Sequence, residues 1–165
     1  MVTIEPIGEQ HLAFVQLHAS HPSIGAASMV PYPYPADGAA RWYDGVRARQ
    51  ADGLARVFAI QRHGQFSGVM SINGIAAESW SAELDYWVAF AFQGRGVATQ
   101  AAALAMSFAR ESLGTRHLHS ACLARNVASG RVLEKCGFRE IGRITLPDGR
   151  FKGEEVRRFL CELSG

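Results

Sequence analysis

The chain has 165 residues, of which 48% are hydrophobic and 19% are charged, and its formal net charge at pH 7 is +2. These values predict a single globular domain spanning residues 1–165, and they exclude a disordered chain and argue against a nucleic-acid partner. Because no apolar run is long enough to span a membrane, and the 3 cysteines form no CxxC pair, we expect a cytoplasmic protein that does not contact membranes.

The first third of the chain predicts one strand followed by two helices. Residues 2–6 are predicted as the strand and residues 9–20 as the first helix. The three prolines of the segment PYPYP, residues 31–35, exclude regular structure, so we expect a stiff surface loop there. Asp37 is expected to cap the second helix, which ends at about Gln50.

Three consecutive strands are predicted next, at residues 54–61, 66–75 and 82–90, with a hairpin turn at residues 62–65. Successive side chains of a strand point to opposite faces of the sheet. The third strand therefore places Glu83, Asp85 and Trp87 on one face of the sheet. The other face carries Leu84, Tyr86 and Val88.

The rest of the chain alternates between helices and strands and ends in a hairpin. The predicted elements are a helix at residues 99–112 that ends at Gly114, a strand at 116–123, a helix from Asn126 to Gly137, and strands at 138–146 and 151–163 around the turn 147–150. The complete order predicts an α+β fold, with one mixed sheet of about six to seven strands flanked by about four helices.

The segment FQGRGVATQ, residues 92–100, places Gly94 and Gly96 at the start of a predicted helix. Glycines let backbone N–H groups turn toward a ligand, and the helix terminus adds a positive dipole, so the segment is typical of an anion site. Arg95 would add a charge-assisted contact. A tight turn that binds nothing is the alternative. The lysine of a Walker loop and the third glycine of a dinucleotide fingerprint are both missing, which excludes those two nucleotide sites.

The pattern Gln93-x-x-Gly96-x-Ala98 resembles the acetyl-CoA pyrophosphate signature of the GNAT superfamily of N-acetyltransferases. Two longer segments, ELDYWVAFAFQGRGVATQA and ARNVASGRVLEKCGF, are similar to its RimJ/RimL-like branch. That branch acetylates amino-terminal amines of ribosomal proteins and includes relatives that act on other amines. The resemblance implies a single-domain GNAT-like fold whose sheet splays between its central strands.

The resemblance also implies that acetyl-CoA is the cosubstrate and that its pyrophosphate rests on the amides of residues 94–98. Pantetheine would pair with the strand edge at residues 87–90, where the Val88 amide would polarise the thioester carbonyl. The implied coenzyme-binding residues are Trp87, Val88, Phe90, Gln93, Gly94, Arg95, Gly96, Val97, Ala98, Asn126, Ser129 and Arg131.

Three residues are implied as catalytic: Ser129, Glu83 and Asn126. Many members of the superfamily carry a tyrosine at the position of Leu133 as proton donor to the leaving thiolate, and here Ser129 becomes the preferred donor. Asn126 would contact the pantetheine arm, although capping of the helix explains both polar residues equally well. Glu83 is the preferred base and Asp85 the alternative, unless both are simply solvated charges on an exposed face.

The sequence therefore predicts transfer of acetyl from acetyl-CoA to a primary amine, a protein amino terminus included, by direct attack in a ternary complex of a monomer or homodimer. The alternative is a catalytically inactive CoA-binding regulatory module, because Leu133 cannot donate a proton and Gln100 stands where branch members usually have glutamate. His117 and His119 share a strand face, but no further ligand lies nearby in the sequence, so no metal is predicted. Acceptor selectivity is expected in the first two helices and the loop at residues 31–35.

Overall fold

Seven strands form one mixed sheet within residues 1–164, which are the residues that the computed structural model describes. Gly165, the last residue of the predicted domain, lies outside the described residues. The strands are β1 (Val2–Pro6), β2 (Arg56–Arg62), β3 (Gln65–Ala76), β4 (Ser81–Val88), β5 (His117–Leu123), β6 (Arg139–Thr145) and β7 (Glu155–Glu162). Their order in the sheet is β1-β2-β3-β4-β5-β7-β6. Only the β4–β5 pair is parallel in the described residues.

The described residues contain five α-helices: α1 (Leu12–Ala19), α2 (Pro22–Gly25), α3 (Gly38–Ala51), α4 (Val97–Leu113) and α5 (Val127–Lys135). The predicted α+β class and order of elements are confirmed, and α2 is an additional helix of 4 residues that the sequence pattern did not indicate. No helix within residues 1–164 is both long and apolar enough to span a bilayer.

Different helices cover the two faces of the sheet. The face bearing Leu84 and Tyr86 packs against α4 and α5, and four alanines of α4 are fully buried there, so the helix lies close to the strands. The opposite face packs against α1 and α3, and Trp87 belongs to this second cluster. The predicted alternation of side chains along β4 is thus confirmed.

Local details differ from the sequence-based expectation at several places. The predicted strand at residues 82–90 ends at Val88, because a 3-10 turn at Phe90–Phe92 follows it. Asp37 precedes α3 but makes no capping hydrogen bond, because its carboxylate pairs with Arg41 at 3.0 Å one turn further on. The first helix begins as a 3-10 turn at Glu9–His11. The predicted last strand does not begin at Phe151, because that residue folds into successive turns and is buried, and β7 starts only at Glu155.

The two parallel strands separate soon after they meet. Ser81 to Glu83 pair with His117 to His119, and no further β4–β5 pairs follow within the described residues. β4 continues to Val88 beside β3, whereas β5 continues to Leu123 beside β7. The predicted splay between central strands is therefore confirmed, and we refer to the space between the second halves of β4 and β5 as the gap.

The end of β4 is fixed against β3 by a close backbone approach. The amide of Ala89 donates to the carbonyl of Ser67 at 2.8 Å, and Gly68 lies opposite Val88. A Cβ atom on Gly68 would collide with the carbonyl oxygen of Trp87, a backbone atom that has little freedom to move. Only glycine allows the two strands to approach this closely.

We expect Gly68→Ala to lower the free energy of unfolding by about 1–3 kcal/mol, because the added methyl group must displace backbone. For a chain of this length each kcal/mol lowers the melting temperature by about 2–4 °C, which thermal unfolding monitored by circular dichroism can measure. Gly142→Ala is the matched control, since a Cβ at that position has no heavy atom within 4 Å. Equal melting temperatures of the two variants would contradict the close approach.

Candidate active site

A turn of bare backbone precedes α4. Gly94 and Gly96 have φ angles of 73° and 75°, in the left-handed region that favours glycine. The amides of residues 94–96 donate to no acceptor within residues 1–164, and Val97 and Ala98 occupy the first helical turn, where amides have no intrahelical acceptor. A row of free N–H groups at the positive end of a 17-residue helix can bind phosphate groups.

The residues around this turn hold it in place or leave it accessible. Val97 is buried in the core, and the Gln93 side chain donates to the carbonyl of Val88 at 2.9 Å. Arg95 is exposed and has no ion-pair partner within the described chain. Phe90 is also exposed and stacks on His21, with ring centroids 4.3 Å apart.

The backbone of β4 faces the gap at alternate residues. The Ala89 amide bonds to β3, so the preceding residue, Val88, directs its N–H and C=O away from β3 and into the gap. Two hydrogen bonds agree with this alternation, since Ser120 Oγ donates to the Leu84 carbonyl at 2.7 Å and Gln93 donates to the Val88 carbonyl. The Val88 amide therefore faces the gap.

Helix α5 carries Asn126 and Ser129 to the other side of the gap. Asn126 Oδ1 accepts a hydrogen bond from the Ser129 amide at 3.2 Å, so the expected cap of this helix is present. Ser129 Oγ lies 2.9 Å from the phenol oxygen of Tyr86, which projects from β4. Arg131 is exposed on the same helix, and Leu133 is fully buried in the core.

Tyr86 is a candidate residue that the sequence analysis did not select. Its place on the core-facing side of β4 was predictable, and a hydroxyl group there was a signal that some polar partner must exist. Burial raises the pKa of Tyr86 to about 12, against a smaller opposing effect of the hydrogen bond to Ser129. Burial also raises the pKa of the nearby Cys122 thiol, opposed by the charge of Arg157 and by a hydrogen bond with Ser129.

Arg157 of β7 ties α5 to the neighbouring strands. Its guanidinium pairs with Glu134 of α5 at 3.0 Å and with Glu140 of β6, and it stacks over Phe159 at 4.8 Å. The hydrogen bond from Arg157, with a second from Arg143, lowers the pKa of Glu140. These contacts fix the helix that carries Asn126 and Ser129.

The opposite face of β4 lines a cavity of about 150 Å³ where the strands separate. Its charged and titratable side chains are Glu83, Asp85, His119 and Arg158. Asn73 donates from its amide nitrogen to Asp85 at 2.8 Å, whereas its amide oxygen is buried and has no partner within residues 1–164. Glu83 and Asp85 are therefore brought together, while no group of three possible metal ligands occurs in the described residues.

A larger cavity, of about 580 Å³, lies between α1 and the β2–β3 hairpin. Phe14, His18 and Phe66 line it, together with the buried His11. It contains none of the predicted catalytic or coenzyme-binding residues and neither carboxylate of the smaller cavity, but Phe14 and His18 belong to the first helix, where acceptor selectivity is expected.

Two arginines attach the loop that follows α2 to the rest of the site. Arg125, the residue before Asn126, donates to the carbonyl of Ala26 at 2.6 Å. Arg150 donates to the carbonyls of Ser28 and Val30 at 2.8 and 2.9 Å. The expected irregular structure at residues 31–35 is present, so the proline-rich segment continues directly from this attached loop.

Comparisons with known proteins agree with this arrangement. The sequence model of a family described as "Acetyltransferase (GNAT) domain" matches residues 2–139. A curated protein of Bacillus subtilis (strain 168), "Putative ribosomal N-acetyltransferase YdaF", is 30% identical over 80 residues. That match covers 48% of this chain and 44% of the relative, so it spans less than half the length of either protein.

Solved structures share the fold at low sequence identity. RimL, a ribosomal L7/L12 alpha-N-protein acetyltransferase in complex with coenzyme A, has a TM-score of 0.88 at 20% identity, over 98% of this chain and 94% of that one. Spermidine N-acetyltransferase from Vibrio cholerae, in complex with CoA and spermine, has a TM-score of 0.84 at 19% identity, with coverages of 98% and 95%. MccE, the microcin C7 self immunity acetyltransferase, has a TM-score of 0.86 at 16% identity, over 98% of this chain and 92% of that one.

The raised pKa of Tyr86 predicts a specific dependence of stability on pH. The unfolded phenol titrates near 10.0 and the folded one near 12, so the unfolded state loses this proton first. Tyr86 therefore stabilises the fold fully below pH 10, and its contribution declines as the pH rises from 10 to 12. Urea unfolding across that range should show a steeper loss of stability in the wild type than in Tyr86→Phe. If the stabilities of the wild type and Tyr86→Phe declined equally with pH, the burial of a neutral phenol at Tyr86 would be contradicted.

Proposed function

The chain belongs to the GNAT acetyltransferase family, and from this premise we propose that it transfers the acetyl group of acetyl-CoA to a primary amine by direct attack within a ternary complex. The observation that carries the proposal is the row of unbonded amides at residues 94–98, which stands at the terminus of α4 beside the gap. This row can bind a diphosphate while the gap receives the pantetheine arm.

The residues around the gap fit acetyl-CoA. Free amides and the exposed Arg95 and Arg131 suit its phosphate groups, and the side of β4 that faces the gap offers backbone groups for pantetheine to pair with. The Val88 amide would donate a hydrogen bond to the carbonyl of a thioester held there and would favour the negative charge that develops on oxygen. Bound acetyl-CoA supplies the activated acetyl group.

Glu83 is the proposed base, in the cavity on the other face of β4. It makes no hydrogen bond with the described residues, whereas Asp85 already accepts one from Asn73. An amino-terminal amine has a pKa near 8, so a base as weak as a carboxylate is sufficient for it.

The acceptor is proposed as a primary amine because two carboxylates, Glu83 and Asp85, line the cavity, and because the names of similar proteins specify amines. The names of two structural neighbours specify spermidine and a ribosomal protein alpha-amine. The curated relative named as a ribosomal N-acetyltransferase favours a peptide amino terminus among these. The single domain, the monomer or homodimer, and the cytoplasmic location stay predictions.

Gly96→Asp should abolish binding of acetyl-CoA, because its carboxylate would occupy the turn and repel a diphosphate. Space is available for the side chain, since a Cβ would lie 3.6 Å from its nearest neighbour, in Gln100. Acetyl-CoA at a hundredfold excess over its Kd stabilises the wild type by about 2.7 kcal/mol, which a thermal-shift assay can detect. ATP and NAD should give smaller shifts.

Gly53→Asp is the matched control for this variant. Gly53 also has a left-handed φ, 73°, and open space around it, but it lies at the end of α3. Release of free CoA in the presence of a panel of amines then tests transfer itself. Binding of acetyl-CoA without acetylation of any amine would contradict the transferase and support a CoA-binding regulatory module. Equal binding by the Gly96→Asp and Gly53→Asp variants would contradict the proposed coenzyme site.

Glu83→Gln should reduce kcat/KM by up to about a hundredfold, with the largest loss below pH 8. Below the pKa of an amino-terminal amine, about 8, the substrate is protonated and needs a base, whereas above it the amine is already neutral. The pH profile of kcat/KM measures this difference. Asp85→Asn is the control and should leave the shape of the profile unchanged. A loss that is equal at every pH would assign Glu83 a structural role.

A further inference from the structure

Tyr86 and Ser129 meet across the gap from different elements. The phenol oxygen of Tyr86 lies 2.9 Å from Ser129 Oγ and 3.4 Å from the Ser129 carbonyl oxygen. The amide of Ser129 is held by Asn126. Ser129 is thus fixed through its backbone by its own helix and through its hydroxyl by the opposite strand.

Either hydroxyl can donate across the 2.9 Å contact between Tyr86 and Ser129 Oγ, whereas the Ser129 carbonyl oxygen can only accept. When the phenol donates to Ser129 Oγ, the hydrogen of the Ser129 hydroxyl is free to point at a third atom. Burial holds the phenol in its neutral, donating form, because it raises the pKa of Tyr86 to about 12.

We propose that Tyr86 is a positioning residue for acetyl transfer, which directs the Ser129 hydroxyl hydrogen at the departing CoA sulfur and replaces it with the phenol proton. This inference rests on the proposed function, since it assumes that a thioester is cleaved in the gap. It adds a residue from β4 to the groups that α5 supplies.

Two proton transfers accompany cleavage of the thioester, and each proton passes to a named atom. As the carbon–sulfur bond of the thioester breaks, its electron pair goes to sulfur, and sulfur takes the hydrogen of the Ser129 hydroxyl. Ser129 Oγ takes the phenol hydrogen in turn, which leaves the negative charge on Tyr86 until solvent returns a proton. A serine hydroxyl is a poor acid without help, and a phenol is a stronger one, so the pair is a better donor than Ser129 alone.

Other groups near the pair do not replace Tyr86. The thiols of Cys122 and Cys136 are the remaining titratable groups that affect its phenol, and burial raises the pKa of both. Leu133, one turn beyond Ser129 on α5, is buried and has no proton to give. Cys122 also hydrogen-bonds with Ser129, but the phenol of Tyr86 is the oxygen that lies 2.9 Å from Ser129 Oγ.

Tyr86→Phe, Ser129→Ala and the double variant test the proposal by steady-state kinetics. Tyr86→Phe keeps the ring and should lower kcat by about tenfold to a hundredfold, with KM for acetyl-CoA within about twofold of the wild type. The double variant should be no slower than Ser129→Ala, because Tyr86 acts only through Ser129. Tyr43→Phe, which removes a hydroxyl from α3, is the control and should match the wild type.

A binding measurement separates this inference from the function on which it rests. Ultraviolet titration of bound CoA reports the acidity of its thiol, which a hydrogen bond from Ser129 to the thiolate increases. The bound thiol should become about tenfold less acidic in both Tyr86→Phe and Ser129→Ala. Wild-type protein that binds CoA but acetylates no amine would contradict the proposed function, and this titration would still decide whether Tyr86 acts on Ser129.

Three results would overturn the proposal. The first is a Tyr86→Phe variant with the kcat and bound-thiol acidity of the wild type. The second is a double variant whose loss equals the product of the two single losses, which would mean that the hydroxyls act separately. The third is a rise in KM for acetyl-CoA with kcat unchanged, which would show that the phenol only packs against the coenzyme.

Discussion

The short parallel pairing of β4 with β5 is the constraint on which the rest of the site depends. Pairing ends at Glu83 and His119, and β5 then remains beside β7 while β4 remains beside β3. The side of β4 that faces the gap keeps backbone polar groups that need partners. Ser120 and Gln93 satisfy two of its carbonyls, and the remaining groups face the gap.

The alternation of side chains along β4 separates two kinds of chemistry. Glu83 and Asp85 lie on the face covered by α1 and α3, beside the small cavity, whereas Tyr86 lies on the face covered by α4 and α5. The proposed proton acceptor and the proposed proton donor therefore lie on opposite sides of a single strand. In the proposed reaction, a substrate amine and a leaving thiol would each meet the appropriate group without the two groups neutralising each other.

Much of this arrangement could be predicted from the sequence, because it follows from local rules. The strict alternation in residues 83–88 predicted both faces of β4, and Gly94 and Gly96 predicted the left-handed turn before α4. The contact between Tyr86 and Ser129 could not be predicted, since the two residues are 43 positions apart and meet only because the strands separate. Asp37 illustrates a competing contact, in which a residue suited to capping pairs with Arg41 instead.

The hydrogen bonds of Arg125 and Arg150 to the loop after α2 end on main-chain carbonyls of Ala26, Ser28 and Val30. Every amino acid has such a carbonyl, so these bonds survive replacement of the side chains at all three positions. The loop can therefore change its chemical character during evolution while its path over the protein is preserved. Side chains of this loop can therefore vary independently of the scaffold that presents them.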